Sequence, residues 1–265
     1  MSAEPIMNFA AANDPQGGDA PFRPVAVIPV YNHGAAIPGV VARVRAGGLA
    51  LILVDDGSDA DCAAVLDRLA RAPDVTLVRL PVNQGKGAAM VAGFRAAAAA
   101  GFTHALQIDA DGQHDTGDVP AFVAHAARAP RAVICGTPIY DASIPAIRFY
   151  GRYGSHIWMW ISTLSFDIRD SMCGFRVYPL ASTIALIDRV RIGRRMDFDS
   201  EILVRLHWRG VPMVNVPTRV TYPEDGVSHF RYWSDNVRIV WMYARMFFGM
   251  LVRLPMLLWR RLVRR

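Results

Sequence analysis

The sequence predicts an α/β protein with a mostly parallel, Rossmann-like sheet, flanking helices and an amphipathic helical tail. Three observations carry this. Short β-rich apolar runs alternate with helix-length segments from Val25 onward. The polar clusters fall where those runs end. Beyond residue 230 the chain holds eight arginines and one aspartate, against a net charge of +6 for the whole, so the rest is close to neutral. A basic tail on a neutral body excludes a nucleic-acid-binding body and points to an anionic surface as the tail's partner. Hydrophobic residues at 52% against 20% charged exclude a chain that is disordered as a whole.

Residues 1–22, rich in Ala, Asn, Gly and Pro, lack a basic segment leading into an apolar run and are expected to form a disordered N-terminal tail, not a secretory signal. The next expected unit is 23–230. Within it VAVIPV (25–30), ALILV (50–54), VTLVRL (75–80), HALQI (104–108) and AVIC (132–135) have strand length, and 35–46, 60–72 and 86–100 carry apolar positions at helical spacing. Strands joined by helices of this length imply right-handed crossovers and a parallel sheet, with ligands at the carboxyl ends of the strands. Cys62, Cys135 and Cys173 form no CxxC pair, which fits a reducing compartment better than a disulfide or zinc framework.

Four polar segments are expected on that rim: YNHG (31–34), DDGSD (55–59), NQGKG (83–87) and DADGQH (109–114). Asp109 and Asp111, two apart just past a strand, can aim their oxygens into one volume, with Gln113 adding a neutral oxygen. A hard divalent cation accepts such ligands while keeping waters and substrate phosphates. A solvated turn uses the same residue types, so the segment alone leaves both readings open. Asp55 and Asp56 follow a strand, with Gly57 permitting a turn and Ser58 able to cap a helix; one carboxylate is free to accept hydrogen bonds from a nucleobase or ribose. Lys86 is the only lysine among 29 basic residues, and NQGKG lacks P-loop spacing.

IPVYN (28–32), VDDGS (54–58), NQGKGAAM (83–90), QIDADGQH (107–114) and DSMCGFRVY (170–178), in this order, resemble the family 2 glycosyltransferases of GT-A fold, closest to the dolichyl- or polyprenyl-phosphate mannose and glucose synthases. The resemblance covers about residues 24–232. It implies Mg²⁺ or Mn²⁺ held by Asp109, Asp111 and Gln113, and a nucleotide sugar (UDP- or GDP-hexose) bound along Pro29, Tyr31, Asn32, Asp55, Asp56, Lys86 and Asp109. It implies inverting transfer of the hexose to a membrane lipid, with polyprenyl phosphate favoured as acceptor. A cation on the leaving diphosphate stabilises the charge that develops there. A phosphate acceptor is already ionised, whereas a hydroxyl of another lipid or glycolipid needs a general base. Asp170 is the first candidate for that base or for orienting the acceptor. Asp199 and Glu201 are the second, although an acidic first turn is also what a helix dipole favours.

Arg148 and Arg152, four apart, share a helix face and could fork onto a lipid phosphate; a solvated basic face with no such role is the alternative. Ser228 of VSHFR (227–231) lies in a segment resembling Ser-Lys-[FY]-Arg, with His229 in the lysine's place. Arg231, Arg238, Arg245, Arg253 and Arg260 recur about every two helical turns, with Val240, Trp241, Met246, Phe247, Phe248, Met250, Leu251, Leu257, Leu258 and Trp259 opposite. Residues 231–265 are therefore expected to be basic amphipathic helices at the membrane interface, divided at Pro255. No uncharged apolar stretch reaches about 18 residues, so a peripheral, monotopic place on the cytoplasmic membrane face is expected. Packing of the apolar face on the body, or on a second copy in a homo-oligomer, are the competing uses. Nucleotidyl transfer is disfavoured by the PVYNHGA loop, which lacks a Gly-rich basic triphosphate cradle. A non-catalytic nucleotide-sugar-binding membrane adaptor would not need Asp109, Asp111 and Gln113.

Overall fold

A computed structural model describes residues 21–139, 146–221 and 232–263. Seven strands, β1 (Pro24–Val30), β2 (Leu51–Asp56), β3 (Val75–Leu80), β4 (His104–Gln107), β5 (Val133–Ile139), β6 (Arg176–Pro179) and β7 (Met213–Arg219), form one sheet in the order β3-β2-β1-β4-β6-β5-β7. The pairs β3–β2, β2–β1, β1–β4 and β5–β7 are parallel; β6 runs antiparallel to both β4 and β5. The five expected strands are present within a few residues. The two others, β6 and β7, carry too little apolar periodicity to stand out: RVYP is four residues long and MVNVPTR holds a proline.

The helices are α1 (Ile37–Ala46), α2 (Ala60–Leu69), α3 (Lys86–Ala99), α4 (Val119–Arg128), α5 (Ala146–Thr163), α6 (Leu180–Ile187), α7 (Phe198–Trp208) and α8 (Tyr232–Val263). Strand alternation sends Val25, Val27, Ile52 and Val54 to one core layer with α3, α6, α7 and α8. Ala26, Ile28, Leu51 and Leu53 go to the other, with α1, α2 and α4. With both faces covered, β2 is buried at every position. The Ala-rich α3 lies close on the sheet because Gly93 has no side chain; a β-carbon there would strike Val27 and crowd Val54. Phe22, the last residue of the expected disordered tail, packs on the core with its ring 4.7 Å from that of His104. Residues 1–20 lie outside the described residues.

The tail corrects the expectation in two respects. Helix α8 is continuous through Pro255, which lies on its outward face away from the contacts that hold the helix to the domain. Moreover, the expected apolar face is divided. Met246, Met250 and Leu257 are buried in the α3/α7 core layer, whereas Val240, Trp241, Phe248, Leu251, Leu258 and Trp259 are exposed. Trp208 at the end of α7 is the anchor. Gly249 leaves room for its ring, Arg253 stacks on it at 4.6 Å, and Arg260 donates to its carbonyl at 2.8 Å. At about 100° per residue the arginine stripe falls on one border between the buried and outward faces, not opposite the apolar residues. By length and composition Trp233–Val263 is apolar enough to cross a membrane, an 18-residue window within it having a mean hydropathy of 1.2.

Candidate active site

The carboxyl ends of β1, β2, β3 and β4 converge, and their loops bind one another. Asn32, at φ 55°, donates its N–H to Ser58 Oγ (3.1 Å) and accepts the Asp59 N–H on its Oδ1 (2.8 Å), so the loop carrying Pro29 and Tyr31 is tied to the 55–59 turn. Asp55 and Asp56 then part company. Asp55 accepts the Ser58 N–H (2.9 Å) and the Arg79 Nε–H (2.9 Å) and is 1% exposed. Both its oxygens hold the turn and its neighbouring strand, so it does not face a ligand as expected. Asp56 turns to the 83–85 segment, accepting the N–H groups of Gln84 and Gly85 (2.7 Å each) and Asn83 Nδ2 (3.1 Å). Burial raises its pKa against the pull of those backbone donors.

At the start of α3, Gly85 adopts φ 101° and brings Lys86 across the rim. The Lys86 Nζ stands 2.7 Å from Asp109 Oδ1 and 2.8 Å from Asp199 Oδ2. Burial disfavours its charge, but the two carboxylates outweigh burial and raise its pKa above the usual lysine value. Burial likewise opposes ionisation of Asp109, and Lys86 with His114 (Nε2 to Oδ2, 3.5 Å) holds it far below the carboxylate range. Asp111 is pushed the other way, by burial and by the charge of Asp109, with the Gln113 N–H pulling back through a 3.1 Å bond. Gln113 contributes its backbone to this loop: its carbonyl accepts from Thr221 at 3.0 Å.

These residues fit a divalent cation. Asp109 and Asp111 burden one another as anions in a semi-buried corner, and that corner already draws in the single lysine, so positive charge is what it lacks. The donors are hard oxygens, the kind magnesium and manganese take. Among the described residues no cluster of three or more His, Cys, Asp or Glu side chains is arranged to hold a metal. Two carboxylates alone would leave the remaining positions to water and to phosphate oxygens.

The second-half candidates separate as well. Asp199 belongs to the network: Gln107 Nε2 donates to its Oδ1 (2.8 Å), and the buried Arg176 donates to its carbonyl (2.6 Å). Asp170 is 2% exposed; its Oδ1 accepts the Met172 and Cys173 N–H groups (2.8 and 2.7 Å), and its Oδ2 lies 3.3 Å from His156 Nε2. It shapes the 170–174 loop, whose Gly174 abuts the Asp109 carboxylate so closely that a β-carbon would collide with it. Glu201 does not reach the rim, contrary to expectation. It is fully buried, shared by Arg205 (2.7 Å), Arg245 (3.2 Å) and the Gly193 N–H (3.0 Å), and it binds α7, α8 and the 191–195 segment together. Arg148 and Arg152 lie on α5, but their side chains and Ser228 fall outside the described residues. Sequence reasoning missed Gln107 and His114. Each sits inside a quoted motif, and only the fold shows that Gln107 points at Asp199 while His114 stacks on Phe175.

With this geometry in place, the comparisons with known proteins are specific. The family profile described as Glycosyl transferase family 2 matches residues 25–190. Polyprenol monophosphomannose synthase of Mycolicibacterium smegmatis is 28% identical over 254 residues, covering 90% of this chain and 91% of that one. Undecaprenyl-phosphate mannosyltransferase of Micrococcus luteus is 27% identical over 214 residues, covering 78% and 87%. Among solved structures, glucosyl-3-phosphoglycerate synthase of Mycobacterium tuberculosis, in complex with Mn²⁺, UDP-glucose and phosphoglyceric acid, superposes with a TM-score of 0.63 at 15% identity, covering 87% of this chain and 80% of that one. The expected GT-A architecture is the observed one.

Proposed function

The chain belongs to glycosyl transferase family 2 and is a glycosyltransferase, and from that premise we propose that it transfers a hexose from UDP or GDP, with inversion, to the phosphate of a polyprenyl lipid. The observation that carries this reading is the meeting of Asp109, Asp111, Lys86 and Asp199 at the carboxyl ends of β1–β4, in a chain alike over nine-tenths of its length to a synthase named for a polyprenol monophosphate sugar.

In this reading the nucleoside lies along the loop of Pro29, Tyr31 and Asn32 and the wall built by Asp56 with 83–85, which Asn32 and Asp56 hold rigid. Asp109 and Asp111 would hold Mg²⁺ or Mn²⁺, which when bound supplies charge neutralisation for the departing diphosphate. Lys86 presents a permanent positive charge to the same phosphates, because burial cannot strip its proton while Asp109 and Asp199 flank it. Asp199 positions Lys86, and Asp170 positions the loop beneath Asp109. The acceptor phosphate is its own nucleophile at neutral pH and attacks the face opposite the leaving group, so no base is required. Arg148, Arg152 and Ser228 are proposed to receive that phosphate.

Residues 231–265 act as the membrane-interface segment. The outward residues Trp233, Val237, Trp241, Phe248, Val252 and Trp259 supply the apolar contact, and the docked inner face supports a helix lying in the headgroup plane instead of crossing it. Cys62, Cys135 and Cys173 are buried and none forms a disulfide, in keeping with the cytoplasmic side. The test is incubation of each UDP- and GDP-hexose with polyprenyl phosphate and, in parallel, with extracted membrane lipids, followed by mass spectrometry of the lipids. Polyprenyl phosphate heavier by one hexose residue supports the reading; transfer confined to hydroxyl-bearing lipids overturns the acceptor, and no transfer overturns the activity.

A further inference from the structure

Outside the Lys86 network, a cavity of about 570 Å³ opens between the 191–195 segment and α8, with Asn83 and Gln84 of the 83–85 wall in its lining. Arg191, Arg194, Arg195, Arg238 and Arg245 line it with one carboxylate, Asp197. Three of the arginines have partners: Arg195 donates to Asn83 Oδ1 (3.1 Å), Arg238 to Asp235 (3.2 Å) and Arg245 to Glu201 (3.2 Å). Arg191 and Arg194 are exposed and form no ion pair among the described residues. Asp197 spends one oxygen on the Arg195 N–H (3.1 Å). Two of the five guanidiniums are ion-paired and Asp197 is the one lining carboxylate, so among the described residues the cavity keeps an excess of positive charge centred on Arg191 and Arg194, and planar N–H forks are matched to phosphate oxygens.

The position of the cavity selects the source of the phosphate. Trp241 lines it, is 65% exposed and belongs to the outward apolar face of α8 with Val237, Val240 and Phe248. Arg238 and Arg245 fall about 40–60° around the helix from Trp241, on the border of that face. With Trp241 at the apolar boundary, the cavity stands at headgroup height. We propose that this cleft binds the phosphate of an anionic membrane phospholipid and so couples the catalytic domain, through the 191–195 segment, to the charge of the leaflet. The inference rests on the reading of α8 as an interfacial helix. It assigns leaflet recognition to a built cleft in place of the evenly spaced stripe expected from sequence, since Arg253 and Arg260 of that stripe are occupied by Trp208.

The test uses the full chain and its Arg191→Gln/Arg194→Gln variant, whose two substitutions touch exposed, unpaired side chains. Co-flotation is measured with phosphatidylcholine vesicles and with vesicles containing phosphatidylglycerol, and binding of UDP and GDP with Mn²⁺ is measured in parallel. The parent is expected to prefer the anionic vesicles. The variant is expected to lose about ten- to thirtyfold of that preference, at about fivefold per arginine near an anionic surface, while keeping affinity for neutral vesicles and nucleotide. An unchanged preference in the variant overturns the proposal, and so does a loss of nucleotide affinity, which would make the cleft part of the donor site. Equal binding of the parent to both vesicles leaves the interfacial helix standing and overturns the cleft. A parent that binds neither overturns both.

Discussion

Replacing Lys86 by methionine removes the single positive charge between Asp109 and Asp199 while keeping most of the side-chain volume. At 2.7 and 2.8 Å, each contact is worth about 6 kcal/mol at an effective dielectric near 20, more than the several kcal/mol that burial costs each ion. Breaking both leaves two carboxylates facing one another in a semi-buried corner, and the expected loss is roughly 3–5 kcal/mol. For a chain of this size that lowers the melting temperature by about 6–20 °C. Thermal unfolding followed by circular dichroism reads the effect directly. Adding Asp199→Asn removes one of the stranded charges, so the Lys86→Met/Asp199→Asn protein is expected to recover about half of the loss. A single variant melting within about 2 °C of the parent, or a double variant melting below the single, would show that the network does not hold this rim together.

Three further outcomes are expected. Glu201→Gln leaves Arg205 and Arg245 short of a charge and is expected to cost about 3–5 kcal/mol in unfolding while changing turnover per folded molecule by less than about threefold; a hundredfold fall in turnover without loss of stability would restore Glu201 to the reaction. Gly174→Ala drives a β-carbon into the Asp109 carboxylate and is expected to weaken Mn²⁺-dependent nucleotide binding by at least about tenfold, or about 1.4 kcal/mol, as read by calorimetry; unchanged affinity would place Asp109 outside the donor site. Burial holds the His104 imidazole below its ordinary value of 6.5, so the folded chain binds that proton less readily than the unfolded one. Its stabilising contribution is complete above the unfolded value and is lost as pH falls through the lower folded value. Between about pH 7.5 and pH 5 the parent should lose more stability than His104→Asn; parallel losses would mean that His104 is not the group responsible.

The parallel half of the sheet was legible because its strands are short, β-rich and mostly apolar and lead into polar turns, and the order of those turns identified the rim. Strands β6 and β7 were not, because RVYP spans only four residues and MVNVPTR carries an asparagine and a proline, so neither reads as an apolar run. In the site, type and neighbourhood were readable but partnership was not. Asp55 and Asp56 are adjacent and chemically identical, yet Arg79 claims one and the 83–85 backbone holds the other. Asp199 and Glu201 lie two apart near the start of α7, where helical geometry turns one toward Lys86 and the other toward α8. The arginine stripe of α8 was visible as a period, but a period does not say which side of a helix meets the domain; Gly249 and the Trp208 ring decide that.

The most direct measurement is a calorimetric titration of UDP and GDP into the full chain, with and without Mn²⁺, repeated on Asp111→Ala. Binding of one of the two nucleotides is expected to tighten at least about tenfold with the ion in the parent, and that gain is expected to vanish in Asp111→Ala while the metal-free affinity persists. A parent indifferent to the ion, or an Asp111→Ala protein that keeps the full gain, contradicts the assignment of Asp109 and Asp111 to the leaving diphosphate.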